Sequence, residues 1–113
     1  LLNPLILAKT MTSITIKQMP SFKRAYKKLH AHAKEKTNDA ILTIMEDPTI
    51  GQEKKAELTG IFVHKFRIHH QEMLLAYEWD TEQIILLALG VHENFYRDLK
   101  KKTLHEPPRK PYF

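Results

Sequence analysis

Gln83-Ile84-Ile85-Leu86-Leu87-Ala88-Leu89-Gly90, running on into Val91-His92-Glu93-Asn94-Phe95-Tyr96-Arg97-Asp98-Leu99, is the stretch that organises this chain. A short apolar run with no polar alternation reads as a strand buried on both faces. Such a strand lies centrally in a sheet, covered on both sides at least in part. It stops at Gly90, and a histidine follows two residues later. On a helical continuation Tyr96, four residues beyond His92, shares its face. An imidazole and a phenol therefore meet at the open end of a strand.

Working outward, two more strands precede this one. Ile61–Ile68 is rich in β-formers, His69–Glu72 is a polar turn, Met73–Trp79 is a strand, and Asp80–Glu82 is a second turn. Turns this short require an antiparallel meander. Further upstream, Ser13–Gln18 alternates as a half-buried strand does. Pro20-Ser21 opens a helix over 21–33, with Phe22, Tyr26, Leu29 and Ala33 on one side. Lys23, Arg24, Lys27 and Lys28 take the opposite side. Thr37 or Asn38 caps a second helix, whose stripe is Ile41, Leu42, Ile44 and Met45 and which Asp47-Pro48 ends. Gly51–Thr59 is a charged loop. His92–Lys102 reads as a terminal helix, and His105–Phe113 as an irregular proline-bearing tail.

The expected fold is α+β in the order β-α-α-β-β-β-α. An antiparallel sheet of about four strands carries two N-terminal helices on one face and a short C-terminal helix. The domain spans 12–102, between an N-terminal extension (1–11) and a Pro-rich tail (103–113). Met11-Thr12-Ser13 reads like a natural start.

A formal charge of +5 and a pI near 9.5 suit nucleic acid or an acidic partner. There is no cysteine, which excludes disulfides and thiolate metal sites and fits a cytoplasmic protein. Ile84–Leu89 is too short to span a bilayer, and Leu1–Ala8 contains Pro4 and lacks a charged leader, so no membrane role is expected.

His92 can donate or accept a proton near neutral pH. Tyr96 can stack on a base or donate to a phosphate oxygen. Lys65 and Arg67, two apart on a strand, share one face, which Val63 and His69 extend. Phe62, His64, Phe66 and Ile68 form the other set and face the helices, so His64 reads as a core-side histidine. His69, His70 and Glu72 cluster in a turn. With no H-E-x-x-H and no histidine pair at helical spacing, neither metal nor cofactor is expected. Lys54, Lys55, Arg97, Lys100 and Lys101 are electrostatic candidates for a polyanion, and a solvated surface would use the same residues.

Three stretches then carry a family resemblance. Ser21-Phe22-Lys23-Arg24-Ala25-Tyr26-Lys27-Lys28-Leu29, Leu58-Thr59-Gly60 leading to Lys65 and Arg67, and Leu86-Leu87-Ala88-Leu89-Gly90-Val91-His92 leading to Phe95-Tyr96 occur in order. Together they resemble the RelE/ParE superfamily of toxins from bacterial type II toxin–antitoxin pairs, and within it the His-bearing, YafQ-like mRNA interferases. The resemblance implies a metal-independent endoribonuclease that cleaves mRNA, commonly on the ribosome, and so inhibits translation. The 2′-hydroxyl would attack the adjacent phosphate, leaving a cyclic phosphate and a free 5′-hydroxyl.

His92, Tyr96, Lys65, Arg67 and Glu72 would be catalytic, with Glu72 as a general base. Lys54, Lys55, His69, Arg97, Lys100 and Lys101 would bind RNA. A cognate antitoxin would block the site, and operator DNA would be met only through the antitoxin complex. RelE itself carries arginines where this chain has Leu74 and His92, so its catalytic set is not reproduced. A ParE-like inhibitor of DNA gyrase shares the fold without needing His92 and is the alternative.

Overall fold

The computed structural model describes residues 14–55 and 58–91, together with Phe95 and Leu99. The chain forms β1 (Thr15–Gln18), α1 (Pro20–Lys27), α2 (Ala31–Glu46) and a 3-10 turn (Pro48–Ile50). Then follow β2 (Gln52–Glu53), β3 (Phe62–Ile68), β4 (Gln71–Trp79) and β5 (Gln83–Gly90). The strands make one five-stranded sheet in the order β1-β5-β4-β3-β2. As the apolar run demands, β5 lies inside the sheet, and every residue from Gln83 to Leu89 is buried.

Two apolar clusters sandwich the sheet. On the helix side, Phe22 and Tyr26 of α1 and Ile41, Ile44 and Met45 of α2 pack on Met73, Leu75, Tyr77, Ile84 and Leu86. On the far side, Val63, Leu74, Ala76, Ile85 and Leu87 are covered by Leu58, Ile61, Phe95 and Leu99. A β-bulge keeps β5 in phase with both layers. Tyr77 opposes Leu86 and Ala76 opposes Ala88, so Leu87 is the extra residue. Ile84 and Leu86 meet the helices before the bulge, and Leu89 meets them after it.

Three expectations need correction. The sheet is mixed and five-stranded, because β1 runs parallel to β5, with Ile16 opposite Ile84. Short turns fix direction only within β3–β4–β5; a parallel pair needs a long crossover, which everything between Gln18 and Gln83 supplies. Second, the charged loop contains a strand. Gln52 and Glu53 pair with Val63 and Phe62, an edge too short and too polar to show in the sequence.

Third, the helices divide elsewhere. α1 ends at Lys27 and α2 already begins at Ala31. Thr37 and Asn38 are mid-helix residues rather than caps. Thr37 Oγ1 donates back to the Ala33 carbonyl at 2.9 Å, and Asn38 Oδ1 accepts from the buried Tyr26 hydroxyl at 2.9 Å. Both residues are buried polar groups satisfied inside the fold, so their preference for caps is overridden by a contact twelve residues away.

Tyr77 fastens the layer that carries β2. Its hydroxyl donates to the Pro48 carbonyl at 2.6 Å and accepts from Gly51 N–H at 3.0 Å. A Cβ on Gly51 would lie 2.6 Å from that oxygen, so the close approach requires glycine. Burial pushes the Tyr77 phenol above its ordinary pKa, which keeps it a hydrogen-bond donor.

Candidate functional site on the open end of the sheet

The far face of the sheet is apolar at Val63, Leu74 and Ala76 and turns polar toward the β3–β4 turn. Alternation along β3 puts Val63 into the far-side cluster and Lys65 and Arg67 on the same face, both exposed. Arg67 pairs with Glu72, and Lys65 with Leu74, so the exposed Glu72 joins the two cations on this face. Leu74 in turn pairs with Gly90. Lys65, Leu74 and Gly90 therefore form one row across three strands. Lys65 and Arg67, expected on one face, thus share an exposed strip at the mouth of β5 with Glu72, which was expected in the turn: β4 begins at Gln71 rather than Met73.

Local contacts hold this strip. The Arg67 guanidinium donates Nη1–H to the His70 carbonyl at 3.0 Å, which fixes its direction. Gln71 Nε2 donates to the Val91 carbonyl at 3.3 Å, linking the start of β4 to the residue before His92. Sequence patterning gave no signal for Gln71, because the bond spans twenty residues. Gly90 has a steric role. A Cβ there would lie 2.7 Å from the Phe95 ring, so glycine lets Phe95 pack down over the strand end. Phe95 and Leu99, one helical turn apart, are buried in the far-side cluster.

Other candidates lie elsewhere. His69 sits in the left-handed region at φ 56°, which breaks strand alternation. Its ring stacks on His32 of α2 at 4.6 Å, so it turns toward the helix side and does not extend the Lys65 row. Lys54 lies beside Ile61, bonding its carbonyl, and its Nζ donates to Gln52. Ile61 is about 13 Å along β3 from Lys65, so Lys54 and the exposed Lys55 belong to the opposite end of the sheet. His92, Tyr96, Arg97, Lys100 and Lys101 lie outside the described residues. Among the described residues no group of three or more potential ligands could hold a metal ion. No described helix is long and apolar enough to cross a membrane.

His64 faces the helices, half-buried, with its ring stacked on Phe66 at 6.2 Å. Burial lowers its pKa from 6.5, so folding favours the neutral ring. That contribution is complete above pH 6.5 and disappears as the pH falls through the lower folded-state value. Thermal melts should show stability declining between about pH 7 and pH 5, with a shallower decline in His64→Gln. Parallel profiles for the two proteins would assign the effect to other groups.

The family model for the ParE-like toxin of the type II bacterial toxin–antitoxin system matches residues 16–100. The chain belongs to this family. The fold is that of RelE-type toxins. An arginine-to-alanine double mutant of the Escherichia coli toxin RelE in the free state shares 13% identity. The match covers 82% of this chain and 96% of that one, with a TM-score of 0.62. The YoeB dimer from Staphylococcus aureus aligns at 22% identity over 72% of this chain and 99% of that one, TM-score 0.58. RelE within the intact E. coli RelBE toxin–antitoxin complex aligns at 14% identity over 73% and 99%, TM-score 0.57. No match was found among curated proteins. As a ParE-like toxin, the chain is the toxin of a toxin–antitoxin pair.

Proposed function

We propose that this ParE-like toxin is a metal-independent endoribonuclease that cuts mRNA and so inhibits translation. The observation that carries the reading is the strip of Lys65, Arg67 and Glu72 in register with Gly90. Two neighbouring cations beside a carboxylate can receive one phosphodiester. Lys65 and Arg67 would bind its non-bridging oxygens and stabilise the extra charge of the pentavalent transition state. Glu72 would take the proton of the 2′-hydroxyl as that oxygen attacks phosphorus. His92 would give a proton to the departing 5′-oxygen, leaving a 2′,3′-cyclic phosphate and a free 5′-hydroxyl. Tyr96 would stack on the neighbouring base or donate to the phosphate. Arg97, Lys100 and Lys101 would add charge along the RNA path, and a cognate antitoxin would cover the strip.

A second reading is favoured by the ParE-like description of the matching family model. On that reading the toxin inhibits DNA gyrase and cleaves nothing. One experiment separates the two. Purified toxin is added to programmed ribosomes and the message is mapped by primer extension, beside a gyrase supercoiling assay. Discrete new 5′ ends that vanish in Lys65→Ala/Arg67→Ala support the nuclease. An intact message with blocked supercoiling would replace it with the gyrase inhibitor.

A further inference from the structure

The start of β4 carries a contact that serves neither apolar cluster and has no part in the proposed chemistry. Gln71 is exposed, and its Nε2 donates to two backbone carbonyls, those of Glu72 and Val91, at 3.3 Å each. A primary amide has two N–H donors, and both are used here. Glu72 is the residue proposed to take the 2′-hydroxyl proton. Val91 is followed in the chain by His92, the residue proposed to protonate the departing 5′-oxygen. One side chain thus ties the backbone of the proposed base to the residue before the proposed acid.

The sheet ladder does not make this tie. Among the described residues the last pair between β4 and β5 is Leu74 with Gly90, and both Glu72 and Val91 lie beyond it. The turn that carries Gln71 is itself held. His69, at φ 56°, stacks on His32 of α2 at 4.6 Å, and the His70 carbonyl accepts from Arg67 Nη1 at 3.0 Å. We propose that Gln71 is a positioning residue, whose amide sets the spacing between Glu72 and the segment that enters His92. The inference rests on the nuclease reading and deepens it. In-line displacement needs the base and the acid on opposite sides of one phosphorus, so their separation governs the rate. A misplacement of about 1 Å can cost roughly 10²-fold. Gln71 belongs to neither apolar cluster, so removing its amide leaves the packing of both intact.

Two variants of the full chain test this. Gln71→Ala removes the amide, and Gln71→Glu keeps its size but, as a carboxylate, donates nothing. Cleavage of the message on programmed ribosomes is followed in single turnovers, over a range of toxin concentrations and from about pH 5 to pH 8. Both variants are expected to cut about 10–10²-fold more slowly at saturating toxin, with half-saturation at the wild-type concentration. The imidazole inflection between about pH 5.5 and 7.5 is expected to flatten, because a displaced acid contributes less to the rate. A side chain that only stiffens the turn would lower the whole profile and leave the inflection in place, and that result would overturn the inference. So would a wild-type rate in both variants, a loss that shows only as weaker half-saturation, or a melting midpoint far below that of the wild type. Wild-type toxin that leaves the message uncut is a separate failure, that of the nuclease reading, and it removes the inference as well.

Discussion

His92→Ala is expected to slow RNA cleavage by about 10²–10⁴-fold while leaving affinity for uncleavable RNA near wild type. The size follows from the chemistry. In-line displacement needs one proton removed from the 2′-oxygen and another delivered to the 5′-oxygen, and water performs both poorly. An unperturbed imidazole titrates near 6.5 and can supply either transfer at neutral pH. Single-turnover primer extension across pH should therefore show an inflection between about 5.5 and 7.5 in the wild type that the variant lacks. A variant cutting at the wild-type rate would move the proton transfers to other groups, with Glu72 the first to examine. In the proposed mechanism Lys65 and Arg67 would act differently, by charge rather than by proton transfer, so removing them should weaken both binding and rate.

The largest effect on stability is expected at Leu75. This residue is fully buried on the helix side of β4, between His64 on β3 and Leu89 on β5. Leu75→Ala would leave a cavity beneath both helices and is expected to cost about 2–5 kcal/mol. Domains of this size have roughly 5–15 kcal/mol in total, so a large share of the margin would go. Guanidinium unfolding should show a lower midpoint with an unchanged m-value, because the surface exposed on unfolding hardly differs. A loss below about 1 kcal/mol would contradict the packing described for this layer.

The elements legible in advance were those with a local signature. The apolar run at 83–90 announced a covered inner strand. Alternation along 62–68 separated Lys65 and Arg67 from Phe62 and Phe66, and the two tight turns forced β3, β4 and β5 into an antiparallel meander. Where a side chain answered to a distant partner, local reading went astray. Thr37 and Asn38 have the chemistry of caps, but the Tyr26 hydroxyl draws Asn38 into the interior. His69 has the sequence parity of Arg67, but a left-handed turn swings its ring onto His32.

The candidate site divides in the same way. Glu72, expected in the turn, joins Lys65 and Arg67 because β4 begins at Gln71, but the shared face of those two cations follows from strand period, a local quantity. Gln71 bonding Val91 does not, nor does Gly90 yielding space to Phe95, because both depend on where β5 emerges beside β4.

By itself the sequence determined the α+β class, the inner place of the last strand and the shared face of Lys65 and Arg67. Each is written in the spacing of neighbours along the chain, which hydrophobic burial turns into faces. Tertiary structure alone decided that β1 runs parallel to β5, that Leu87 bulges and that Gln71 reaches Val91. These depend on which segments meet after the chain has crossed the sheet, and no residue spacing carries that information.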